Sequence, residues 1–263
     1  MFQSDRRMVP LRGRVLEAAV ERLRGAEHLR LLLDYDGTLV PFADRPDAAE
    51  PDAELLALLG KLGCQAGAEV HLVSGRRHDD LGLWFGDLPI GLHAEHGLWS
   101  RPARSAPWRC MEPGDVAWRP RVRDMFRHVA GCTPGSVVEE KTVALAWHYR
   151  RADPGTGRAR AEEFLRSLRG ALADAAVDVL DGDHVVEVRP RHAHKGRIAV
   201  AVRNAAPPGA TLAAFGDDVT DDDLFRALGP DDITVAVGTR PSAAQLYVES
   251  PAQVRALLRA LIP

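Results

Sequence analysis

The sequence predicts an α/β fold, with a parallel sheet that carries helices on its faces and a smaller α+β segment inserted into it. A continuous apolar run at Leu31 to Leu33 ends abruptly in acidic residues, which is typical of a strand buried on both faces of a parallel sheet. Strand-like and helix-like segments alternate near both ends of the chain, as in parallel sheets with crossover helices. Between about Trp99 and Asp183 this alternation gives way to short paired strands and two helices.

The first part of the chain predicts a β-α-β-α-β order. A helix precedes the first strand, because Leu16, Ala19, Val20 and Leu23 recur at helical spacing. A loop with Pro41, Pro46 and Pro51 follows the strand, and Asp52 can then cap a leucine-rich helix. The other predicted elements are strands at Glu69 to Val73 and Ile90 to Ala94 and a short helix at Leu81 to Phe85.

The inserted segment predicts a small α+β unit. Its predicted helices are near Val122 to Val129 and Ala159 to Ala175, and its strands are Ser136 to Glu140, Val143 to Tyr149, Val177 to Leu180 and His184 to Val188. Afterwards the α/β order returns, with helices at Lys195 to Asn204 and Ala252 to Leu261, strands at Thr211 to Phe215 and Ile233 to Val237, and a short helix between these strands. We therefore assign residues 1–98 and 189–263 to a core domain and residues 99–188 to an inserted domain.

Composition excludes several classes of function. The chain has 263 residues, 46% of them apolar and 27% charged, as in an ordinary soluble globular protein. A net charge of −3 argues against a broad nucleic-acid surface. No apolar stretch is long enough to span a membrane or to serve as a signal peptide. Three scattered cysteines indicate neither a disulfide framework nor a zinc site, so we expect a reduced, cytoplasmic protein.

Reactive side chains stand where the predicted strands and helices begin or end. They are Asp34, Asp36 and Thr38 after the first strand, Ser74 and Arg76 after the second, Lys195 at a helix start, and Asp217 and Asp218 after a later strand. The carboxyl ends of parallel strands lie on one edge of the sheet, so these groups can converge. A cluster of carboxylates without His or Cys favours Mg²⁺. Metal, lysine and serine together suit a phosphoryl group.

Each candidate has a role in that chemistry. Asp34, the first residue after the strand, can attack phosphorus and form an aspartyl-phosphate. Asp36 can protonate the leaving alkoxide and later activate water. Lys195 would neutralise phosphoryl charge, and Asp217 would hold Mg²⁺ with Asp34 and the backbone carbonyl of Asp36. Taken singly, Ser74 to Arg76 would be a common turn, Lys195 a surface lysine, and Asp217 with Asp218 a helix cap. An acidic surface turn at Asp34 and Asp36 is a poor alternative, because Asp34 directly follows three leucines. The joint order and shared chemistry of these groups favour the catalytic interpretation.

The segment from Asp34 to Thr38 resembles the first motif of the haloacid dehalogenase superfamily of phosphatases. Ser74, Lys195 and the run from Gly216 to Asp218 resemble its second, third and fourth motifs. The resemblance implies a Rossmann-like core with an α/β cap between the second and third motifs. On this basis we place Ser74 with Asp34, Asp36 and Lys195 among the catalytic residues, and Thr38 and Arg76 among the substrate-binding residues. The metal ligands are assigned to Asp34, Asp36, Asp217 and Asp218.

Several longer motifs resemble those of trehalose-6-phosphate phosphatases, over roughly Leu29 to the C-terminus. They are Ser74 to Arg76, Ala94 to Gly97, Glu139 to Lys141, Trp147 to Arg150 and Gly216 to Asp221. In that family charged residues of the cap bind the sugar hydroxyls, and the matching positions here are Glu139, Lys141, Arg150 and Glu187. Without the family match, the first three also fit an exposed cross-strand charge ladder. The chain departs from the usual pattern at His93, at His194 and at Asp222.

The resemblance implies an Mg²⁺-dependent phosphatase that hydrolyses trehalose 6-phosphate through an aspartyl-phosphate. Another sugar phosphate, such as sucrose phosphate or glucosylglycerol phosphate, is the alternative substrate. A phosphomutase would share the first step, and a catalytically silent sugar-phosphate sensor would not need the intact Asp34, Asp36, Lys195 and Asp217. The expected partners are a small sugar phosphate and, functionally, a trehalose-6-phosphate synthase, with no nucleic acid and no membrane.

Overall fold

A computed structural model describes residues 8–43, 48–102, 106–111 and 113–263 of the chain. Their contacts divide them into two compact units. The first unit contains residues 8–43, 49–102, 106–109 and 194–263, and the second contains residues 48, 110–111 and 113–193. The sequence placed the inserted domain at 99–188.

The described residues form thirteen strands and eight α-helices. The strands are β1 (Val9–Pro10), β2 (Leu29–Leu33), β3 (Ala68–Val73), β4 (Gly91–Ala94), β5 (Trp99–Arg101), β6 (Arg109–Cys110), β7 (Val137–Glu140), β8 (Leu145–His148), β9 (Val177–Gly182), β10 (Val185–Pro190), β11 (Thr211–Gly216), β12 (Ile233–Val237) and β13 (Leu246–Val248). The helices are α1 (Arg14–Arg24), α2 (Ala53–Gly63), α3 (His78–Phe85), α4 (Trp118–Gly131), α5 (Pro154–Ala171), α6 (Gly196–Ala205), α7 (Asp222–Ala227) and α8 (Pro251–Ala260).

The first unit is built on a sheet with the strand order β1-β13-β12-β11-β2-β3-β4-β5-β6. Strand β2 lies near its centre, and Leu33 is in parallel register with Leu72 of β3 and Phe215 of β11. Parallel pairing extends from β1 to β4, and β5 then pairs antiparallel with β4. The carboxyl ends of β2, β3, β4 and β11 therefore lie along one edge, where the predicted reactive residues begin.

Helices cover both faces of this sheet. Neighbouring residues of β2 point to opposite faces, and since the last three are all leucines, both faces need apolar partners. Leu31 and Leu33 belong to an apolar cluster with side chains of α1, α2, α3 and α8. Leu32 belongs to another cluster with side chains of α6 and α7. Burying each leucine fully stabilises the fold by about 1.5–3 kcal/mol. Asp52 begins α2 as predicted, and its Oδ1 accepts a hydrogen bond of 2.7 Å from Leu55 N.

The second unit is an antiparallel sheet with two helices on one face. Its strand order is β7-β8-β10-β9. Trp147 of β8 packs edge-on against Phe164 of α5, which in turn packs against Phe126 of α4. In register, Ala146 of β8 lies between Glu139 of β7 and Glu187 of β10. These two glutamates are therefore on the sheet face opposite to Trp147, and charge is concentrated on that face.

Every helix and longer strand predicted from the sequence is present, with ends shifted by a few residues. Four strands of two or three residues were not predicted, namely β1, β5, β6 and β13. Such short segments show no periodicity of their own, and their pairing depends on distant residues, such as Val9 with Leu246. The predicted loop residue Pro46 lies outside the described residues. In the part of the chain that the structure describes, no helix combines the length and apolar character needed to cross a membrane.

Candidate active site

Asp34 lies directly after β2 and forms a buried ion pair with Lys195, which immediately precedes α6. The Lys195 Nζ donates to Asp34 Oδ1 at 2.6 Å and to Asp221 Oδ1 at 2.7 Å. All three side chains are almost fully buried. Burial alone would lower the pKa of Lys195, but the charges of Asp221 and Asp34 outweigh it and raise that pKa. Lys195 is thus held as a cation between two carboxylates.

Asp34, Asp217 and Asp221 could together hold a metal ion. One carboxylate oxygen from each lies within 4.8 Å of the others. The Thr38 hydroxyl donates to this cluster and lies 3.1 Å from Asp34 Oδ2 and 3.2 Å from Asp217 Oδ1. Burial and the charges of Asp34 and Asp221 raise the pKa of Asp217 well above its usual value. A divalent cation with oxygen ligands would relieve this repulsion, so the residues present fit Mg²⁺.

The turn after Asp34 requires glycine at position 37. Gly37 has a φ of 76°, and a Cβ there would overlap the carboxylate of Asp217. The glycine therefore lets the loop after β2 approach the loop after β11 closely. This contact brings the first and fourth predicted motifs together.

Asp221 organises the loop that carries Asp217 and Asp218. Its Oδ2 accepts backbone hydrogen bonds from Asp217 N at 3.1 Å and Asp218 N at 3.0 Å. Burial, followed by the charge of Asp34, raises the pKa of Asp221 to about 6. The sequence analysis did not assign a role to this residue. Its position four residues after Asp217, and its place in the quoted motif from Gly216 to Asp221, were the signals that could have identified it.

The predicted metal ligands Asp36 and Asp218 have different surroundings. The Asp218 Oδ1 accepts a hydrogen bond from Val219 N at 2.7 Å, and burial raises its pKa. The Asp36 carboxylate is bonded through both oxygens to Arg76, at 2.7 Å from Nε and 2.6 Å from the second guanidinium nitrogen. The Arg76 guanidinium also lies over the rings of Tyr35 and Trp84. The assignment of Asp36 and Asp218 to the metal site stays a prediction.

Ser74 and Arg76 belong to a loop supported by an unusual turn after β4. The Ser74 Oγ accepts a hydrogen bond from Arg76 N at 3.2 Å. Glu95 and His96 have left-handed backbones, with φ values of 48° and 58°, and both are buried. Glu95 N donates to Arg76 O at 2.9 Å, and His96 N donates to Ser74 O at 3.0 Å. The His96 ring packs against Gly75, where a Cβ would lie 2.8 Å from the imidazole.

Two histidines are buried in the sheet near this loop. His71 Nδ1 lies 3.1 Å from His93 Nε2, and His93 Nδ1 lies 2.7 Å from Ser100 Oγ. His71 Nε2 also lies 3.6 Å from Glu69. Burial, together with the neighbouring His71, lowers the pKa of His93 well below its usual value. His93, where the chain departs from the usual family pattern, thus makes its contacts with side chains of neighbouring strands, and its lowered pKa favours the neutral imidazole.

Three of the four charged residues predicted in the second unit lie on one face of its sheet. Lys141 Nζ donates to Glu187 Oε1 at 3.2 Å, and both side chains are buried. Glu139 Oε2 lies 2.8 Å from His148 Nε2. Burial opposes ionisation of Glu139, but Lys141 and His148 lower its pKa on balance. These buried contacts differ from those of an exposed charge ladder.

Arg150, the fourth, bonds to Asp183 in the turn between β9 and β10. Its guanidinium donates to Asp183 O at 3.0 Å and to Asp183 Oδ2 at 2.7 Å. Sequence reasoning did not select His148, although it lies within the quoted motif from Trp147 to Arg150. The roles of all these residues stay predictions.

Comparison with known proteins gives consistent matches. A family model described as trehalose-phosphatase matches residues 32–252. A bifunctional trehalose-6-phosphate synthase/phosphatase from Thermoproteus tenax is 38% identical over 251 residues, which cover 94% of this chain and 34% of that protein. The chain spans about a third of the length of the curated relatives it matches.

Solved structures extend the comparison to the fold. The C-terminal domain of trehalose-6-phosphate phosphatase from C. albicans matches with a TM-score of 0.89 and 31% identity, covering 97% of this chain and 98% of that chain. A haloacid dehalogenase-like hydrolase from Bacteroides thetaiotaomicron matches with a TM-score of 0.59 and 16% identity, covering 88% and 99%. The predicted haloacid dehalogenase-like α/β fold is confirmed, as is the predicted family resemblance.

Proposed function

The chain belongs to the trehalose-phosphatase family, and on that premise we propose that it hydrolyses trehalose 6-phosphate to trehalose and inorganic phosphate. The observation that carries the proposal is the cluster of Asp34, Lys195, Asp217 and Asp221, in which Asp217 is half-buried and the other three are buried. It combines a carboxylate nucleophile, a fixed cation and a group of oxygen ligands. This combination suits transfer of a phosphoryl group.

The reaction has two steps. An Asp34 oxygen attacks phosphorus, the bond from phosphorus to the sugar oxygen breaks, and Asp36 gives that oxygen a proton. Asp36 then takes a proton from water, whose oxygen attacks phosphorus and releases phosphate from Asp34. Because both oxygens of Asp36 accept bonds from Arg76, Asp36 gives up one of these bonds when it carries the proton and keeps the other. Lys195 offsets the charge on Asp34 and on the phosphoryl oxygens.

Mg²⁺ would be held by Asp34 and Asp217, with Asp221 nearby. When bound, the metal neutralises charge on the phosphoryl oxygens. Thr38, which bonds both Asp34 and Asp217, orders these carboxylates for the ion. Ser74 and Arg76 are proposed to contribute to binding of the phosphorylated substrate.

Sugar recognition is assigned to the charged residues of the second unit, the proposed cap. A disaccharide offers hydroxyl groups, which need charged donors and acceptors when they are buried. Glu139, Lys141 and Glu187 supply both kinds of group on one sheet face. Arg150 is the fourth proposed sugar-binding residue, and it would exchange its bonds to Asp183 for bonds to the substrate.

Phosphate release from a panel of sugar phosphates tests the function. Trehalose 6-phosphate should give the highest kcat/KM, above sucrose phosphate and glucosylglycerol phosphate. EDTA should abolish the release, and added Mg²⁺ should restore it. Binding of trehalose 6-phosphate without phosphate release would instead indicate a sensor, and full activity in metal-stripped protein would contradict the metal site.

The cellular setting follows from the same proposal. A phosphatase for trehalose 6-phosphate needs a synthase that supplies its substrate, so a functional link to a trehalose-6-phosphate synthase is expected. We also infer a cytoplasmic location, because Cys64 and Cys132 are exposed free thiols, and such thiols persist in a reducing compartment.

A further inference from the structure

We propose that Arg240 positions the loop that carries Asp217 and thereby sets the affinity of the site for its metal ion. Arg240 lies in the segment between β12 and β13, more than twenty residues after that loop in the sequence. The inference rests on the proposed metal-dependent function, and it assigns a role to a residue that contributes no ligand of its own.

Arg240 holds the loop through its backbone. Its Nε donates to Asp217 O at 2.8 Å, and a terminal guanidinium nitrogen donates to Asp218 O. The N–H groups of the same two residues donate to Asp221 Oδ2. Both residues are therefore held between Asp221 and Arg240, and Asp218 O accepts a further bond from Asp221 N at 3.0 Å. These bonds fix the backbone that carries the Asp217 side chain, whose Oδ1 accepts a bond from the Thr38 hydroxyl beside Asp34.

Asp222 in turn fixes Arg240. Its two oxygens each lie 3.3 Å from a guanidinium nitrogen of Arg240. Asp222 also accepts hydrogen bonds from Ser242 Oγ at 2.5 Å and from Ala243 N at 3.0 Å. The guanidinium, which also donates to Pro241 O at 2.8 Å, thus reaches three carbonyls and one carboxylate at once. A lysine ammonium presents a single nitrogen and cannot reproduce this geometry.

The hydrogen bonds from Arg240 to this loop oppose a repulsion within the carboxylate cluster. Asp34, Asp217 and Asp221 repel one another, and the resulting force pushes the loop after β11 away from β2 when no cation is bound. A loop that is already held in the binding geometry loses less conformational entropy when a metal ion binds. Replacing Arg240 should therefore weaken metal binding, even though simple Coulomb attraction predicts the opposite. If charge alone mattered, removing the positive charge of Arg240 would strengthen the binding of a cation.

The experiment measures metal affinity in Arg240→Gln and Arg240→Lys, with Arg226→Gln as the matched control. Arg226 also faces Asp222, at 3.7 Å, but it is exposed and its ion pairs are to Asp222 and Asp223. Purified full-length protein is titrated with MnCl₂ without substrate, free Mn²⁺ is followed by its EPR signal, and Mg²⁺ is added as competitor. The half-saturating Mg²⁺ concentration for phosphate release provides the second measurement.

We expect Mg²⁺ to bind about tenfold more weakly to Arg240→Gln, since one charge-assisted hydrogen bond is worth about that factor. Arg240→Lys should be intermediate, and Arg226→Gln should bind as tightly as the wild type or slightly more tightly. A purely structural role would lower the melting temperature without changing the Kd of the folded fraction. If Arg240→Gln does not fold, the metal affinity of Arg240→Lys tests the inference.

Wild-type affinity in the folded Arg240 variants, or tighter binding, would overturn the inference while leaving the proposed function intact. An equal loss in Arg226→Gln would overturn it too, because the loss would then not depend on the bonds from Arg240 to the backbone of Asp217 and Asp218. A wild-type protein that binds no Mn²⁺ and releases phosphate without metal would contradict the proposed metal site itself, and the inference with it.

Discussion

The guanidinium of Arg76 bonds to both oxygens of the Asp36 carboxylate, at 2.6 and 2.7 Å, while lying over the rings of Tyr35 and Trp84. The proposed general acid is thus held in one orientation by a partner that is itself fixed by aromatic packing. Two parallel hydrogen bonds specify geometry as well as charge. We therefore expect the Arg76–Asp36 pair to matter for catalysis.

Replacing Arg76 by lysine should lower kcat. The ammonium keeps the charge but loses the paired hydrogen bonds and the planar stacking, so Asp36 is less well oriented. We expect about a tenfold fall in kcat/KM, corresponding to about 1.4 kcal/mol. Steady-state kinetics measures this fall. Arg77→Lys is the control, because Arg77 is exposed and paired with Asp79. Equal kinetics in both variants would contradict a positioning role for Arg76.

Asp34→Asn should abolish turnover and leave the fold intact. An amide is not a competent nucleophile, so the loss should be about a thousandfold or more. Phosphate release and circular dichroism are measured together, with the exposed Asp79→Asn as control. A folded Asp34→Asn protein that releases phosphate at the wild-type rate would rule out Asp34 as the nucleophile.

Truncating the charged residues of the second unit should impair one substrate and spare another. Loss of a charge-assisted hydrogen bond costs about 1.5–3 kcal/mol, so Glu139→Ala, Lys141→Ala and Glu187→Ala should each lower kcat/KM for trehalose 6-phosphate about tenfold to a hundredfold. p-Nitrophenyl phosphate lacks the sugar, so its kcat/KM should change little.

The matched control for these variants is Glu140→Ala. Glu140 follows Glu139 in β7, so its side chain points to the other face of the sheet, where it pairs with Arg123 at 3.2 Å. This variant should leave both substrates unaffected. Equal losses on both substrates in the first three variants would indicate a role in folding or chemistry, and no loss on either would remove the residues from sugar recognition.

The buried His93 should make stability fall in mild acid. Its pKa is depressed in the folded protein by burial and by His71, whereas an unfolded chain takes up the proton near pH 6.5. Below about pH 6.5 the unfolded state therefore binds more protons, and the free energy of unfolding falls by about 1.4 kcal/mol per pH unit. The decline continues until the pH reaches the folded pKa.

Urea unfolding at pH 7.5 and 5.5 measures this dependence. The wild type should lose more stability than His93→Gln over this interval, by about 1 kcal/mol. His184→Asn is the control, because His184 is exposed in the turn between β9 and β10, and it should behave as the wild type. Identical pH dependence in the wild type and His93→Gln would contradict the assignment of this effect to His93.

The main strands and the residues at their ends could be predicted because the information is local. Leu31 to Leu33 are continuous and apolar, and Asp34 follows them at once. Asp52 stands immediately before the helix that it caps. A buried parallel strand and a helix cap both leave such signatures in neighbouring residues.

The missing features depend on contacts between distant residues. Asp221 was not selected because an acidic residue just before a short helix reads equally well as a cap, and only the fold shows Lys195 beside it. The pairing of Arg76 with Asp36 joins residues forty positions apart. Arg240 lies in an irregular segment with no motif, so its contacts with Asp217 and Asp218 could come only from the structure.

The turn at Glu95 and His96 has a consequence for laboratory evolution. Each of these two left-handed residues costs the native state about 1–2 kcal/mol that glycine would not. Selection for heat resistance alone should therefore favour glycine at both positions. The surviving clones would lose the imidazole that packs on Gly75, and with it part of the support for Ser74 and Arg76. Selection for thermal stability and selection for catalytic rate should therefore favour different residues at positions 95 and 96. This is the behaviour expected of a stability–activity trade-off.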